Sequence, residues 1–325
     1  MRQQKRQLIW FGLICSWLWP ALPVAAASPN FKVQPEIATT QLSPQANYYH
    51  VLLANGQSQK LKFRILNLTR GTRHYRVAVN RATTSASGIL SYSQHAPAKP
   101  ESLSIDIEKL APKPQTVTVA PQSAKTVTLT LKAPSTAFPG ILLGGIEVTD
   151  RDDISTAKVA YVTAIKAQAT PTLPAIAPRL QLNNAYAQAA ETGVQVYAKF
   201  ENPQPAIQAQ TAITARLFRS GHKRAVLTKK MAAVTLAPNS HFTLPVNVAP
   251  KRLAAGNYRI AVTAVAADHT TWHFTKSVRI SSAMLKDAKP TTPAVAPSFP
   301  LWAGIGLGGL ALVLAGGSYY LWRRR

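Results

Sequence analysis

Lys60-Leu61-Lys62-Phe63-Arg64-Ile65 alternates cation and apolar residue without a break, and Thr126-Val127-Thr128-Leu129-Thr130-Leu131 alternates hydroxyl and apolar residue in the same way. A period of two puts every second side chain on one face of an extended chain, so both stretches predict half-buried β-strands. Similar runs follow at Tyr75 to Val79, Ile141 to Val148, Ala157 to Ile165, Val194 to Phe200, Ala212 to Phe218, Phe242 to Val248, Tyr258 to Val265 and Trp272 to Ile280, with Pro, Gly and Asn between them. Nothing ahead of the last thirty or so residues has the 3.6 periodicity of an amphipathic helix. Many short strands split by the Pro-rich stretch Thr170 to Pro178 predict an all-β chain of two tandem immunoglobulin-like β-sandwiches.

An internal repeat supports the split. Val117-Thr118-Val119-Ala120-Pro121-Gln122-Ser123 returns 117 residues later as Val234-Thr235-Leu236-Ala237-Pro238-Asn239-Ser240, and Asn67 aligns more loosely with Asn202, 135 residues on. The difference between the offsets predicts about 18 extra residues in the first half, within Ala82 to Pro114.

Near the N-terminus Arg2, Lys5 and Arg6 precede an apolar run and then Ala25-Ala26-Ala27, the layout of a secretory leader, with Ala25 and Ala27 as the small residues of the cleavage site. At the other end Leu301 to Trp322 contains no charge and is long enough as a helix to cross a bilayer, and Arg323 to Arg325 keep the C-terminus cytoplasmic. The expected organisation is 1–27 signal peptide, 28–168 first sandwich, 169–285 second sandwich, 286–300 Pro-rich linker, 301–322 transmembrane helix and 323–325 Arg tail. Its expected location is the cell membrane, single-pass, with both sandwiches outside at the membrane–wall boundary of a Gram-positive bacterium. No Leu-Pro-x-Thr-Gly precedes Leu301, so the span reads as a retained anchor. Asp287 to Pro300 reaches about 43 Å at most as polyproline, which holds the sandwiches near the base of the wall.

The formal charge is +25. Three positive residues belong to the leader and three to the tail, leaving +19, divided as +8 on the first sandwich and +11 on the second. An exported chain meets wall polymers and anionic lipid before nucleic acid, so the expected polyanion is an anionic wall polymer and not DNA or RNA. Cys15 is the single cysteine and lies in the leader, which removes disulfides, thiolate metal sites and cysteine nucleophiles from the mature chain.

Two segments carry a resemblance. Ala82-Thr83-Thr84-Ser85-Ala86-Ser87-Gly88-Ile89-Leu90-Ser91-Tyr92 and Phe138-Pro139-Gly140-Ile141-Leu142-Leu143-Gly144-Gly145-Ile146 resemble the two signatures of the WxL-interacting cell-surface proteins. Met231-Ala232, Pro238-Asn239-Ser240, Gly256-Asn257-Tyr258 and Trp272-His273-Phe274 resemble that family's second domain. The resemblance implies a peptidoglycan-binding first domain, a host-binding second domain, and partnership with WxL-domain surface proteins and host matrix proteins. Pro139 stands where family members often carry an aspartate, so a contact made by that acid does not transfer.

On their own chemistry, Thr83, Thr84, Ser85, Ser87 and Tyr92 offer hydroxyls around a Gly88 turn, suited either to sugar and peptide ligands or to capping the loop's own backbone. Gly140, Gly144 and Gly145 admit a close backbone approach or mark a β-bulge, and the bulge is the favoured reading. A hairpin of Lys60–Asn67 with Arg73–Asn80 would gather Lys60, Lys62, Arg64, His74 and Arg76 on one outer face, either merely solvated or covered by a polyanion.

Catalytic signals are weak. His269 and His273 lack a third ligand, Asp150-Arg151-Asp152-Asp153 lacks the glycine and distal glutamate of a calcium loop, and Gly304 to Gly309 lies in the apolar span. The expectation is a non-catalytic, membrane-anchored scaffold or binding protein without metal or cofactor. The alternative is a membrane-tethered wall-modifying enzyme or an accessory subunit of a membrane complex.

Overall fold

The computed structural model describes residues 29–37, 41–155, 158–190, 193–246 and 253–287. The expected leader, transmembrane span and Arg tail lie outside these residues. Among the described residues no helix is long and apolar enough to cross a membrane.

The chain runs β1 (Phe31–Glu36), β2 (Tyr49–Leu52), β3 (Ser58–Asn67), β4 (Arg73–Arg81), β5 (Thr83–Thr84), β6 (Leu90–Ser91), α1 (Ile107–Leu110), β7 (Gln115–Val119), β8 (Ala124–Lys132), β9 (Leu142–Asp150) and β10 (Ala160–Gln168). It continues with β11 (Gln181–Ala190), β12 (Gly193–Asn202), β13 (Gln208–Arg219), β14 (Ala225–Leu236), β15 (Ser240–Pro245), β16 (Gly256–Val265), β17 (Thr271–Ile280) and α2 (Ser282–Asp287). In the first sandwich β1-β3-β8 faces β2-β10-β9-β4-β7, and in the second β11-β12-β15 faces β14-β13-β16-β17. The second sandwich thus repeats the first strand for strand, with β2 as an addition on the edge of β10.

Alternation dictates the layers. Leu61, Phe63 and Ile65 point into the first core with Tyr75, Val77 and Val79 from the opposite sheet. Full burial of a Phe63-sized side chain contributes about 2–3 kcal/mol. Phe31 joins from β1, its ring 4.9 Å from both Tyr75 and Tyr161. The second core is built equivalently from Val196, Ala198, Phe200, Phe242 and Leu244 against Ile213, Leu217, Ile260 and Val262.

The repeated Ala-Pro-x-Ser turn has a structural partner in the paired asparagines. Asn67 is buried at the end of β3, and its Nδ2 donates to the carbonyls of Gly71 and Ala120 at 2.8 and 3.0 Å. Asn202 ends β12 in the same way and donates to Ala206 and Ala237, both at 2.9 Å. Each amide closes a strand end onto the turn carrying Gln122 or Asn239, whose φ values are 48° and 42°. Both offsets in the repeat, 135 for the asparagines and 117 for the turns, therefore join equivalent residues.

The extra residues of the first half lie between β4 and β7, where the second sandwich has only the 220–224 connection. They form β5, β6 and α1. α1 is one turn, N-capped by the Asp106 side chain, which accepts from the Glu108 amide, and it inserts Ile107 into the first core. β5 instead leaves its own sandwich and pairs in parallel with β15, extending the second sandwich's sheet to β11-β12-β15-β5-β6.

Candidate functional site

The two signature segments meet where the sandwiches join. Thr84 pairs with Phe242, and its Oγ1 accepts from the Ala237 amide at 3.0 Å while donating to the Thr235 carbonyl at 3.3 Å. Gly88 adopts φ +81°, and its carbonyl accepts from the Thr235 amide at 2.8 Å. That positive φ favours glycine, and a Cβ there would also press on Met231 Cε at 2.7 Å and on Val234 at 3.1 Å.

On the facing segment Gly140 has φ +70° and lies against the backbone of Pro205, where a Cβ would overlap the carbonyl oxygen. The next amide, Ile141, donates to that oxygen at 2.7 Å. Ala82, Ile141, Leu143 and Ala237 form a small apolar cluster across the junction, flanked by Leu90, Tyr92 and Ile207. Gly144 and Gly145 lie within β9, and its ladders to β10 and β4 run through both without a register shift. They mark close approach and not a bulge: a Cβ at Gly144 would be 2.8 Å from the Asn80 carbonyl oxygen, and one at Gly145 2.9 Å from Tyr92 Cβ. The signature glycines thus admit neighbours, with Pro205 and Met231 supplied by the second sandwich.

A groove of about 530 Å³ opens beside this junction. Its floor is the outer face of β11, β12 and β15, presenting Tyr186, Tyr197, Lys199, His241 and Thr243, and its wall is Thr83–Ala86, Ser91, Ser93, Gln94 and Pro97 from the first sandwich. Tyr186 and Tyr197 stack with ring centroids 5.1 Å apart and planes 23° from parallel. Tyr186 is 36 % exposed, so the pair offers an aromatic surface edged with hydroxyls. Thr83, Thr84 and Ser85 therefore line the groove, and Thr84 also fastens the junction; Gly88, Gly140, Gly144, Gly145 and Tyr92 shape its surroundings without lining it.

Behind the wall, buried Arg81 donates to Asp106 Oδ2 at 2.7 Å and to the Pro97 carbonyl at 2.6 Å, and Lys99 reaches the same carboxylate at 3.3 Å. This pins the 95–106 segment against β4 and leaves the guanidinium committed. Under the floor, burial pushes the Glu201 carboxyl up, but the nearby Ser102, the Asn183 amide that donates to Oε2 at 2.7 Å and the neighbouring His241 outweigh it and hold the group below the usual carboxylate range. Burial, reinforced by Lys199, pushes His241 below the ordinary imidazole value. Its Nδ1 is 3.8 Å from Glu201 Oε2 and makes no hydrogen bond. No Asp or Glu lines the groove, so the flanking carboxylate pair of a glycoside hydrolase is missing there.

The hairpin expected from Lys60–Asn67 and Arg73–Asn80 does not form. β3 and β4 belong to opposite sheets, because the connection at 68–72 crosses the sandwich to bury both apolar faces against each other. Lys60, Lys62 and Arg64 remain exposed together, with Glu36 paired opposite Lys62 on β1. Arg76 stands on the other sheet, 3.3 Å from Glu147, and His74 there bonds Asp152. The single basic face is therefore split.

Asp150, Asp152 and Asp153 serve the turn after β9: Asp150 Oδ1 accepts from the Asp152 amide, and Asp153 Oδ1 from the Ser155 amide. Among the described residues no group of three or more His, Asp or Glu side chains could hold a metal ion. Sequence reasoning missed Tyr186, Tyr197, Lys199 and His241. Tyr197 and Lys199 alternate with buried Val196, Ala198 and Phe200, Tyr186 follows buried Ala185 and His241 precedes buried Phe242, which marks all four as outward-facing, but only the docked wall makes that face concave.

Residues 31–150 match the family model described as WxL Interacting Protein, peptidoglycan binding domain, and residues 155–289 match WxL Interacting Protein, host binding domain. The boundary between the two falls in the β9–β10 connection, although β10 pairs with β9 and β2 in the first sandwich. No curated protein matches the chain. Among solved structures, the chaperone–tip adhesin complex of CFA/I fimbriae aligns at 12 % identity over 76 % of this chain and 99 % of that one, TM-score 0.30. The E. coli chaperone DraB aligns at 12 % identity over 77 % and 96 %, TM-score 0.27. A PapD-like domain of human CEP192 aligns at 9 % identity over 46 % and 93 %, TM-score 0.29.

Proposed function

Because the chain belongs to the WxL Interacting Protein family and carries both of its domains, we propose that it is a cell-surface binding protein that grips peptidoglycan and presents a second domain to protein partners. The observation that carries the reading is the junction groove, matched to a sugar ring by the stacked Tyr186 and Tyr197 and to hydroxyl or amide groups by Thr83, Ser85 and Thr243. An aromatic face takes the apolar side of a pyranose, hydroxyls pair with its rim, and Lys199 favours a carboxylate on the glycan or its stem peptide. The same docking makes one body of the two domains, so glycan held in the groove would orient the host-binding domain.

The membrane anchor at 301–322, the contact with WxL-domain proteins and contact with host matrix complete the proposal. With a linker reaching about 43 Å, the sandwiches sit low in a thick wall, and a WxL-type partner bridges outward. The test is binding of the full chain, in non-ionic detergent, to purified sacculi stripped of anionic polymer. Tyr197→Ala is expected to weaken binding about tenfold or more, as loss of a central aromatic anchor does. Undiminished binding by both Tyr197→Ala and Tyr186→Ala would remove the groove from the account. Release of soluble sugar would restore the wall-enzyme reading.

A further inference from the structure

Strands β13, β14, β16 and β17 and the 220–224 connection contain no Asp or Glu. Their outward positions carry Lys230, Arg216, Arg259 and Arg279, one on each strand, all exposed. Lys230 pairs opposite Thr214, Arg216 opposite Ala261, Arg259 opposite Phe218, and Arg279 opposite Asn257. In the sheet order β14-β13-β16-β17 each cation is therefore two residues further along than its neighbour. Such diagonal neighbours lie about 7–8 Å apart, so the four form an oblique line about 22 Å long.

Among the described residues none of the four makes an ion pair. Arg259 lies over the Phe218 ring at 4.6 Å, which holds its guanidinium on the sheet surface. Thr228 stands opposite Arg216 and Ser277 opposite Arg259, placing hydroxyls beside the line. The contrast is the first sandwich, where Glu36 and Glu147 stand beside Lys62 and Arg76. Like charges aligned without a counter-charge repel, and a covering anion relieves that cost.

We propose that this face binds a linear phosphodiester polymer along the line of cations. Three of the four are arginine, whose planar fork matches phosphate oxygens, and singly charged phosphates on a flexible backbone can follow an oblique line. No exposed large apolar side chain lies on this sheet, as insertion into a lipid surface would use. Nor is there a free aromatic platform for nucleic-acid bases, since Phe218 is covered by Arg259. The proposal is independent of the groove, which sits on the other sheet and takes a glycan.

The test titrates the full chain in non-ionic detergent with synthetic poly(glycerol phosphate) at several salt concentrations. Four contacts predict a log–log salt slope of about −3, roughly a 50-fold loss of affinity between 50 and 200 mM. Arg216→Gln or Arg279→Gln alone should lower the slope by about 0.7, and Gln at all four should abolish binding while sacculus binding through the groove persists. Gln at Lys60, Lys62 and Arg64 should change nothing. If the fourfold variant fails to fold, the two single variants still decide through the slope. An unchanged slope in them, loss on substituting the first-sandwich cations, or tighter binding of heparin or phosphatidylglycerol vesicles at equal charge would each overturn the assignment.

Discussion

Replacing Gly140 by alanine tests whether the signature glycines fasten the two sandwiches. At φ +70° an L-residue costs about 1–2 kcal/mol over glycine. The added Cβ would overlap the Pro205 carbonyl oxygen and lie 3.0 Å from both the carbonyl carbon and Cβ of that residue. Neither side is a flexible side-chain end, so the backbones must separate and the 2.7 Å bond from the Ile141 amide is lost. That bond contributes about 1 kcal/mol net, and leaving its buried groups unpaired costs about 1–3 more. The junction should therefore weaken by about 3–6 kcal/mol while each sandwich keeps its own core. Amide exchange is the assay: protection at Ile141, Thr235 and Ala237 should collapse, with protection at Phe63 and Phe200 retained. Gly71→Ala is the control, since nothing lies within 4 Å of a Cβ there. Equal protection at Ile141 in the two variants would refute the reasoning.

Asn67→Ala and Asn202→Ala should destabilise their respective sandwiches by about 2–3 kcal/mol each in urea titration, because each strands buried carbonyls that the amide satisfies; a loss below 0.5 kcal/mol in both would deny the turns their keystone. Arg81→Ala should cost about 3 kcal/mol by leaving Asp106 buried and short of its partner, whereas the double change Arg81→Met with Asp106→Leu should recover most of it. Stability should also fall on acidification. His241 is held below its ordinary 6.5 and Glu201 below its ordinary 4.5, so each contributes stability that is full above that ordinary value and lost as pH falls through the lowered one. Urea midpoints should decline from about pH 6.5 downward, first through His241 and then through Glu201, and His241→Gln should remove the earlier part; an identical decline in that variant would assign it elsewhere.

The period-two runs identified β3, β4, β8, β9 and β10 of the first core and β12, β13, β15, β16 and β17 of the second, because one apolar face per strand is a local property that the order of residues carries directly, but they did not include β1, β7, β11 and β14, which also feed the cores. Short or weakly alternating strands were less legible. β2 and β5 are four and two residues long and owe their existence to the edges of β10 and β15. The repeat was readable through its turns, and even the loose alignment of Asn67 with Asn202 proved to join residues doing the same work, because a buried amide closing a strand end has few substitutes.

The layer architecture, the duplication, the position of the extra segment and the surplus of positive charge can all be read from the order of residues. Which strands share a sheet is set by the fold. It placed β3 opposite β4 and so divided Lys60, Lys62 and Arg64 from Arg76, while β13, β14, β16 and β17 brought four scattered cations into one line. It also turned the hydroxyl loop at 83–91 into a strand pair on the neighbouring sandwich and the wall of a groove. The physical reason is that alternation specifies which way a side chain faces, whereas its neighbours depend on pairings between residues up to 158 positions apart in the chain, as Phe242 and Thr84 are.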